Sequence, residues 1–284
     1  MREEGQYYAA PWGIILAIAL LLAWVWRGRK HDRLFWISLI LALTLSWAQD
    51  DWHFWPKTNQ PRDLRVVLWN VASPTRRMPA QVKILRGLDP DIIALAETLE
   101  KRNPSVQRWR EAFPEYQAVA GRGAMLLLVR GKAVPEERVR LSPGSYAQIV
   151  TATVRGRTLR VVQVDLAASV GFDRSLPFPR LQQILARHAA EDAILLGDFN
   201  TPSDSVHFQN LRRHWTNTFD AAGYGYRATW PLPLPVLDLD QIWTHGRVRV
   251  IRCAPRFTAL SDHRLLRVDL AWDVEESQPH LKGW

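Results

Sequence analysis

Asn70, Glu97, Asp198, Asn200, Asp240, Asp262 and His263 are the residues of this chain whose types and setting could do chemistry. They lie in five short signatures: LWNVAS (Leu68 to Ser73), ALAET (Ala94 to Thr98), LLGDFN (Leu195 to Asn200), LDQIW (Leu239 to Trp243) and LSDH (Leu260 to His263). Each reads as the point where a predicted strand runs out into a loop. Strand ends that converge on one rim can gather such side chains around a divalent cation and a phosphate. Carboxylates and amides with no competing Cys/His cluster favour Mg²⁺, with Mn²⁺ or Ca²⁺ as alternatives, over structural zinc. Asn70 and Asn200 are neutral, so they can donate amide hydrogens to a phosphate that Glu97 and Asp198 would repel. Adjacent strand residues point to opposite faces, so the carboxylate that orients His263 should come from outside the Asp262–His263 pair, and Asp240 is the candidate. An imidazole held in one tautomer can deprotonate water or stabilise charge on the transferred group. Asp198 competes for the role of base, and the residues leave both assignments open.

Singly, each signature has a bland reading. An Asp-x-Asn turn cap is a common structural event, and Glu97 could be a helix-start carboxylate. Their joint order and their placement at strand ends carry the argument.

The elements that must position these residues are short apolar strands over Leu64 to Trp69, Asp91 to Ala96, Ala124 to Arg130, Tyr146 to Val154, Thr158 to Asp165 and Ala193 to Leu196. Helical spacing of apolar residues predicts helices over Pro79 to Leu88, Ser105 to Phe113 and Pro179 to Ala190. Early strands alternate with helices, whereas Ala124 to Asp165 reads as consecutive hairpin-linked strands. That mixture predicts two mixed sheets packed face to face with helices outside. The folded domain should run over 62–273, after a linker at 50–61 rich in charge, Trp and Pro, and before a tail at 274–284.

Ahead of it, residues 1–49 read as a membrane hairpin with spans over about 8–26 and 34–49. The basic connector Arg27, Arg29, Lys30 and Arg33 between them would face the cytoplasm, which puts the following domain outside it, in a periplasm if the source is bacterial. The expectation is an integral membrane protein with two spans and an extracytoplasmic catalytic domain.

At 284 residues with one cysteine, Cys253, the chain has no intramolecular disulfide and no cysteine-rich zinc site. Its formal charge is +9, of which residues 1–61 supply six Lys or Arg against five Asp or Glu, leaving +8 on the remainder. Such a field would draw polyanions or anionic headgroups toward the domain, so nucleic acid is permitted without being implied.

Over Arg62 to Asp273, on the WN, ET, GDFN, LDQI and SDH elements, the chain resembles the endonuclease/exonuclease/phosphatase family, which includes deoxyribonuclease I, exonuclease III and neutral sphingomyelinases. The resemblance implies a four-layer α/β sandwich and metal-dependent hydrolysis of a phosphoester. It implies Glu97 as chief metal ligand, Asn70 and Asn200 at the phosphate or metal shell, Asp198 and Asp262 near the metal and attacking water, and Asp240 paired with His263. There are departures. Asp165 stands where the family usually places His, or Tyr in the abasic-site nucleases, and it could act as an acid only if its pKa were raised. Ala72 replaces an acidic residue of exonuclease III-like members, and Gln241 follows Asp240 in place of Tyr or His. These differences, the short domain and the expected membrane tether favour a phosphodiesterase or phosphatase acting on a lipid headgroup or small phosphoester. Arg76, Arg77, Arg122, Arg174 and Arg227 lie in predicted loops as phosphate-clamp candidates. The alternatives are an extracytoplasmic nuclease and a catalytically silent membrane-anchored binding module.

Overall fold

The computed structural model describes residues 12–25, 30–55, 60–72, 76–98, 105–169, 171–188 and 191–273. The chain opens with two helices, α1 (Trp12–Val25) and α2 (Lys30–Asp51), and a two-residue strand β1 (Trp52–His53). There follow β2 (Leu64–Asn70), α3 (Met78–Leu88), β3 (Ile92–Ala96), α4 (Ser105–Ala112), β4 (Gln117–Ala120), β5 (Leu126–Val129), β6 (Lys132–Ser142), β7 (Ser145–Val154) and β8 (Arg157–Asp165). Then come α5 (Pro177–Arg187), β9 (Ala193–Asp198), α6 (Gln209–Arg212), β10 (Thr216–Asn217), α7 (Thr218–Ala222), β11 (Gly225–Tyr226), β12 (Asp240–His245), β13 (Val248–Arg256) and β14 (Leu265–Trp272).

The two expected membrane spans are corrected by the structure: no helix among the described residues is long and apolar enough to cross a membrane. Helix α1 has 14 residues, about 21 Å at the helical rise against a hydrocarbon core of roughly 30 Å. Helix α2 has 22 residues, yet Lys30, Asp32 and Arg33 open it and Asp50 and Asp51 close it. Its uncharged centre covers about 24 Å. The integral-membrane assignment, and the extracytoplasmic location inferred from it, fall with the spans. Residues 8–11 and 26 of the first expected span, 27–29 of its connector and the tail at 274–284 lie outside the described residues.

Twelve of the strands form two mixed six-stranded sheets, in the orders β10-β12-β9-β8-β7-β6 and β13-β14-β2-β3-β5-β4. Only β8 with β9 and β2 with β3 pair in parallel, and the other neighbours are antiparallel. Every residue of β2 is buried, because Val66 and Leu68 point between the sheets while Val67 and Trp69 point outward under helices. A strand covered on both faces reads as a continuous apolar run, which is what LRVVLW presents. The central core joins Val66, Leu68, Ile92 and Ala94 of one sheet to Val150, Val161, Ile194 and Ile242 of the other. A second core packs α5 and α6 on Val162, Leu195 and Trp243, and a third packs α3 and α4 on Trp69 and Leu95. The result is helix, sheet, sheet, helix in layers. Helix α5 begins two residues earlier than its apolar spacing suggests, since Pro177 and Pro179 fit a first turn whose amides need no intrahelical acceptor.

Where linker was expected, the chain instead continues helix α2 to Asp51 and pairs Trp52 and His53 with Tyr226 and Gly225. Local periodicity cannot announce a two-residue strand whose partner lies far along the chain.

Candidate active site

Strand direction brings the signatures to one rim. Parallel pairing of β2 and β3 sets Asn70 opposite Ala96, with Glu97 next in the chain. Parallel pairing of β8 and β9 sets Asp165 opposite Asp198. Strand β12 runs the other way, so its first residue, Asp240, is the one opposite Asp198. Three carboxylates therefore stand abreast on adjacent strands, which places them on the same face of the sheet. Strand β14 is likewise antiparallel to β2, with Leu266 opposite Leu68, so the Ser261–His263 bend enters it from the same rim. Asp240 and His263 thus mark strand entries rather than the strand exits that the sequence suggests. The antiparallel partners reverse the sense.

Asn70, buried at 1 % exposure, joins the two sheets. Its Nδ2 donates to Glu97 Oε1 and to Asp198 Oδ2, each at 3.0 Å, and its Oδ1 accepts the Ala72 amide at 3.1 Å. In this arrangement Asn70 orients two carboxylates rather than presenting its own oxygen. The Asn200 amide N–H donates to Asp198 Oδ1 at 2.9 Å, and its side chain donates to Leu166 O at 2.8 Å. His263 Nδ1 lies 2.8 Å from Asp240 Oδ2. Asp262 is exposed, and its carboxylate takes the Trp230 indole N–H at 3.2 Å.

Three non-glycine residues here have left-handed backbone: Ala72 (φ 48°), Glu97 (φ 51°) and Asn200 (φ 46°). Asn tolerates that region, whereas Ala and Glu are strained in it by about 1–3 kcal/mol each. Gly197 (φ 150°) is required for another reason: a Cβ there would run into the Val164 carbonyl and part β8 from β9. A Cβ on Gly123 (φ 68°) would stand 2.8 Å from Asp165 Oδ2.

Burial shapes the charges. It raises Asp198 to about 7, with the Asp240 charge adding to it and His263 and the Asn200 and Asn70 hydrogen bonds opposing. It also holds Asp165 well above the usual carboxylate range, helped by Asp198, Glu97 and Asp240. For His263 burial acts downward, yet the Asp240 charge and hydrogen bond, then Asp198 and Asp262, push it up to about 10.

Among the described residues, the three whose ligand atoms fall within 4.8 Å of one another are Asp198, Asp240 and His263. Glu97 is not in that group, although Asn70 ties it to Asp198. Asp240 Oδ1 is buried without a hydrogen-bond partner. An orphaned acceptor among mutually repelling carboxylates is what a cation would relieve, and the oxygen-rich donors fit Mg²⁺ or Mn²⁺.

Several contributors carry weak sequence signals. Ser261 Oγ donates to Asn70 O at 2.7 Å and accepts the His263 amide at 3.0 Å, bridging two signatures. Thr229 Oγ1 accepts the Leu239 and Asp240 amides at 3.1 and 3.2 Å. Gln163 Nε2 donates to Leu95 O at 2.9 Å, tying β8 to β3 two residues below Asp165 and Glu97. A glutamine amid the apolar residues of β8 was the available hint. Gln241 donates to Thr201 O at 2.8 Å and accepts the Trp243 indole N–H at 3.0 Å, so it braces the GDFN loop. Two clamp candidates are spoken for internally: Arg174 donates to Ala167 O and Ser169 O, and Arg227 to Asp220 and Ser203. Arg76, Arg77 and Arg122 are exposed.

Residues 67–263 match the profile of the Endonuclease/Exonuclease/phosphatase family. That span is more than half of the chain, and the chain belongs to this family. No curated protein matches it. Among solved structures it is similar to an endonuclease/exonuclease/phosphatase family protein from Bacteroides thetaiotaomicron (16 % identity, TM-score 0.60), over 76 % of this chain and 100 % of that one. It is also similar to a mannosyl-6-phosphatase of Bacteroides thetaiotaomicron (17 %, TM-score 0.61, 74 % and 100 %). A third is D. rerio TDP2 complexed with single strand DNA product (15 %, TM-score 0.58, 73 % and 98 %). At these identities the likeness is one of fold.

Proposed function

We propose that this chain is a divalent-metal-dependent hydrolase of small phosphoesters, with its active site at the rim where Asn70 bridges Glu97 and Asp198. The observation that carries the reading is the joining of both sheets at one point: Asn70 ties Glu97 to Asp198, and Asp240, which faces Asp198, holds His263. Glu97 would hold the cation beside Asp198 and Asp240, with Asn70 fixing its orientation and Asp262 in reserve at the exposed side. When bound, the cation supplies Lewis-acid polarisation of the phosphoryl group and lowers the repulsion among the carboxylates.

The remaining work falls to the side chains. Asp198, whose carboxyl burial raises to about 7 in the metal-free chain, would take a proton from the attacking water. His263, pushed up to about 10 in the metal-free chain with Asp240 the foremost acidic neighbour, would serve as a charged donor to the phosphoryl oxygens. As water oxygen bonds to phosphorus and the ester oxygen departs, Asp165, whose carboxyl is raised by burial and its acidic neighbours, would give that oxygen a proton. Asn200, anchored through Leu166 O, stands beside Asp198 to orient the substrate phosphate.

A small ester is favoured over duplex nucleic acid because Arg174 and Arg227 are committed to internal partners, leaving Arg76, Arg77 and Arg122 to meet phosphate. The test is a panel of aryl, sugar and nucleotide phosphoesters plus plasmid DNA, each with Mg²⁺ and with chelator. Metal-dependent turnover of a small ester that disappears in His263→Ala is expected. Turnover that survives both chelator and His263→Ala defeats the reading, and cleavage of plasmid alone replaces it with a nuclease.

A further inference from the structure

The two-residue strand β1 is a feature the proposed chemistry leaves unexplained. It pairs antiparallel with β11, Trp52 opposite Tyr226 and His53 opposite Gly225. The Trp52 ring stacks on Tyr226 with centroids 5.0 Å apart, and the His53 ring stacks on Phe219 at 4.8 Å. A Cβ on Gly223 would lie 2.7 Å from His53 Nδ1, so the imidazole fits only because that position is glycine. The Arg227 guanidinium also lies over the Phe219 ring, 4.8 Å from its centroid, and the Arg227 amide donates to Asp51 O at 2.9 Å.

From Arg227 the contacts lead into the site. Its Nη1 donates to Ser203 Oγ at 3.0 Å and stands 3.8 Å from Asp238 Oδ2, while Asp238 Oδ1 accepts the Ser203 amide at 3.1 Å. Ser203 lies three residues beyond Asn200, and Asp238 two before Asp240. Arg264, next to His263, donates from Nη1 to Tyr226 O at 2.7 Å and to Ala228 O at 3.0 Å. Thr229 receives the Asp240 amide. The segment from Tyr226 to Thr229 is thus held from the N-terminal side by Asp51 to His53 and itself holds the loops that carry Asn200, Asp240 and His263.

We infer that the Trp52–His53 strand is a positioning clasp for the active site, with Arg227 as its relay, so that the C-terminal end of helix α2 is mechanically part of the catalytic unit. A rigid fork on several oxygen partners suits this task, and lysine cannot replace it. The clasp rests on the proposed site assignment. Misplacement of reacting groups by a fraction of an ångström costs rate rather than substrate affinity, and it loosens the Asp240 and His263 side of the candidate cation site, which gives readouts that loss of stability alone does not.

The experiment uses the full chain with His53→Ala, His53→Phe and Arg227→Lys, at a temperature well below the melting transition of each. Turnover of bis(4-nitrophenyl) phosphate with Mg²⁺ and Mn²⁺ binding to the metal-free protein by calorimetry are measured. For His53→Ala and Arg227→Lys, kcat should fall about tenfold with KM changed less than about twofold, and His53→Phe, which keeps the stack on Phe219, should restore kcat. Unchanged kcat in His53→Ala and Arg227→Lys overturns the clasp, as does a kcat in His53→Phe no higher than in His53→Ala. If the unaltered chain turns over no ester, the proposed function fails separately. The clasp is then judged on Mn²⁺, where weaker binding in both variants supports it and equal binding overturns it. Should His53→Ala not fold, His53→Leu reads the same comparison.

Discussion

Replacing Asp240 by Asn keeps the side-chain shape beside His263 and removes its charge. The structure gives the size of the effect. His263 is 5 % exposed and its Nδ1 sits 2.8 Å from Asp240 Oδ2. Burial alone would lower the imidazole below 6.5, so the rise to about 10 comes from acidic neighbours with Asp240 foremost. The difference between 6.5 and about 10 corresponds to about 5 kcal/mol favouring the imidazolium, to order of magnitude. In Asp240→Asn the metal-free protein should therefore carry a mainly neutral His263 at pH 7.5. Losing one charged donor to the phosphoryl group should lower kcat by about 10²–10³. NMR titration of the imidazole reads the first effect, and steady-state turnover with Mg²⁺ reads the second. A pKa raised in the folded state contributes stability that is complete below 6.5 and is lost as pH rises through about 10. The variant should accordingly be less stable than the parent in urea at pH 6, with the gap closing toward pH 10. An imidazole that still titrates near 10 in Asp240→Asn, or turnover within about twofold of the parent, would refute the reasoning.

The raised Asp198, at about 7, and Asp165 make ionisation unfavourable in the folded metal-free chain, so that chain should lose stability as pH rises from about 4 to 7. Mg²⁺ has protons to displace at pH 5 and few at pH 8; its increment in Tm should therefore be larger at pH 8, and the opposite order would count against carboxylate ligation. Asp165→Asn should slow an alkyl phosphoester by about 10²-fold, while an aryl ester with a good leaving group changes little. Equal losses on both would remove Asp165 as proton donor. Gln163→Leu removes the cross-sheet bond to the Leu95 carbonyl and strands the Gln148 amide that donates to Gln163 Oε1 at 2.7 Å. Urea unfolding should show a loss of about 1–3 kcal/mol, and an unaltered midpoint would mean the cross-sheet bond contributes nothing.

The N-terminus shows where hydropathy stops. Apolar runs over 8–26 and 34–49 have the composition of membrane spans, but the folded helices are Trp12–Val25, too short, and Lys30–Asp51, with charged ends. Composition is local, whereas helix ends and the β1–β11 pairing depend on partners far along the chain.

By itself the sequence determined the chemistry available: which oxygens and which imidazole exist, that they sit next to strands, and that runs such as LRVVLW must be covered on both faces. Those are properties of side-chain type and of periodicity over a few residues, so they can be read without coordinates. Tertiary structure decided what those groups do to one another. Antiparallel pairing made Asp240 and His263 strand entries and set Asp165, Asp198 and Asp240 abreast. Sheet packing turned Asn70 into the bridge between Glu97 and Asp198, and it drew Arg227 away from solvent into a relay. Charge states followed from the same step, because a carboxylate is moved to about 7, or an imidazole to about 10, only once burial removes water and neighbouring charges lie within a few ångströms.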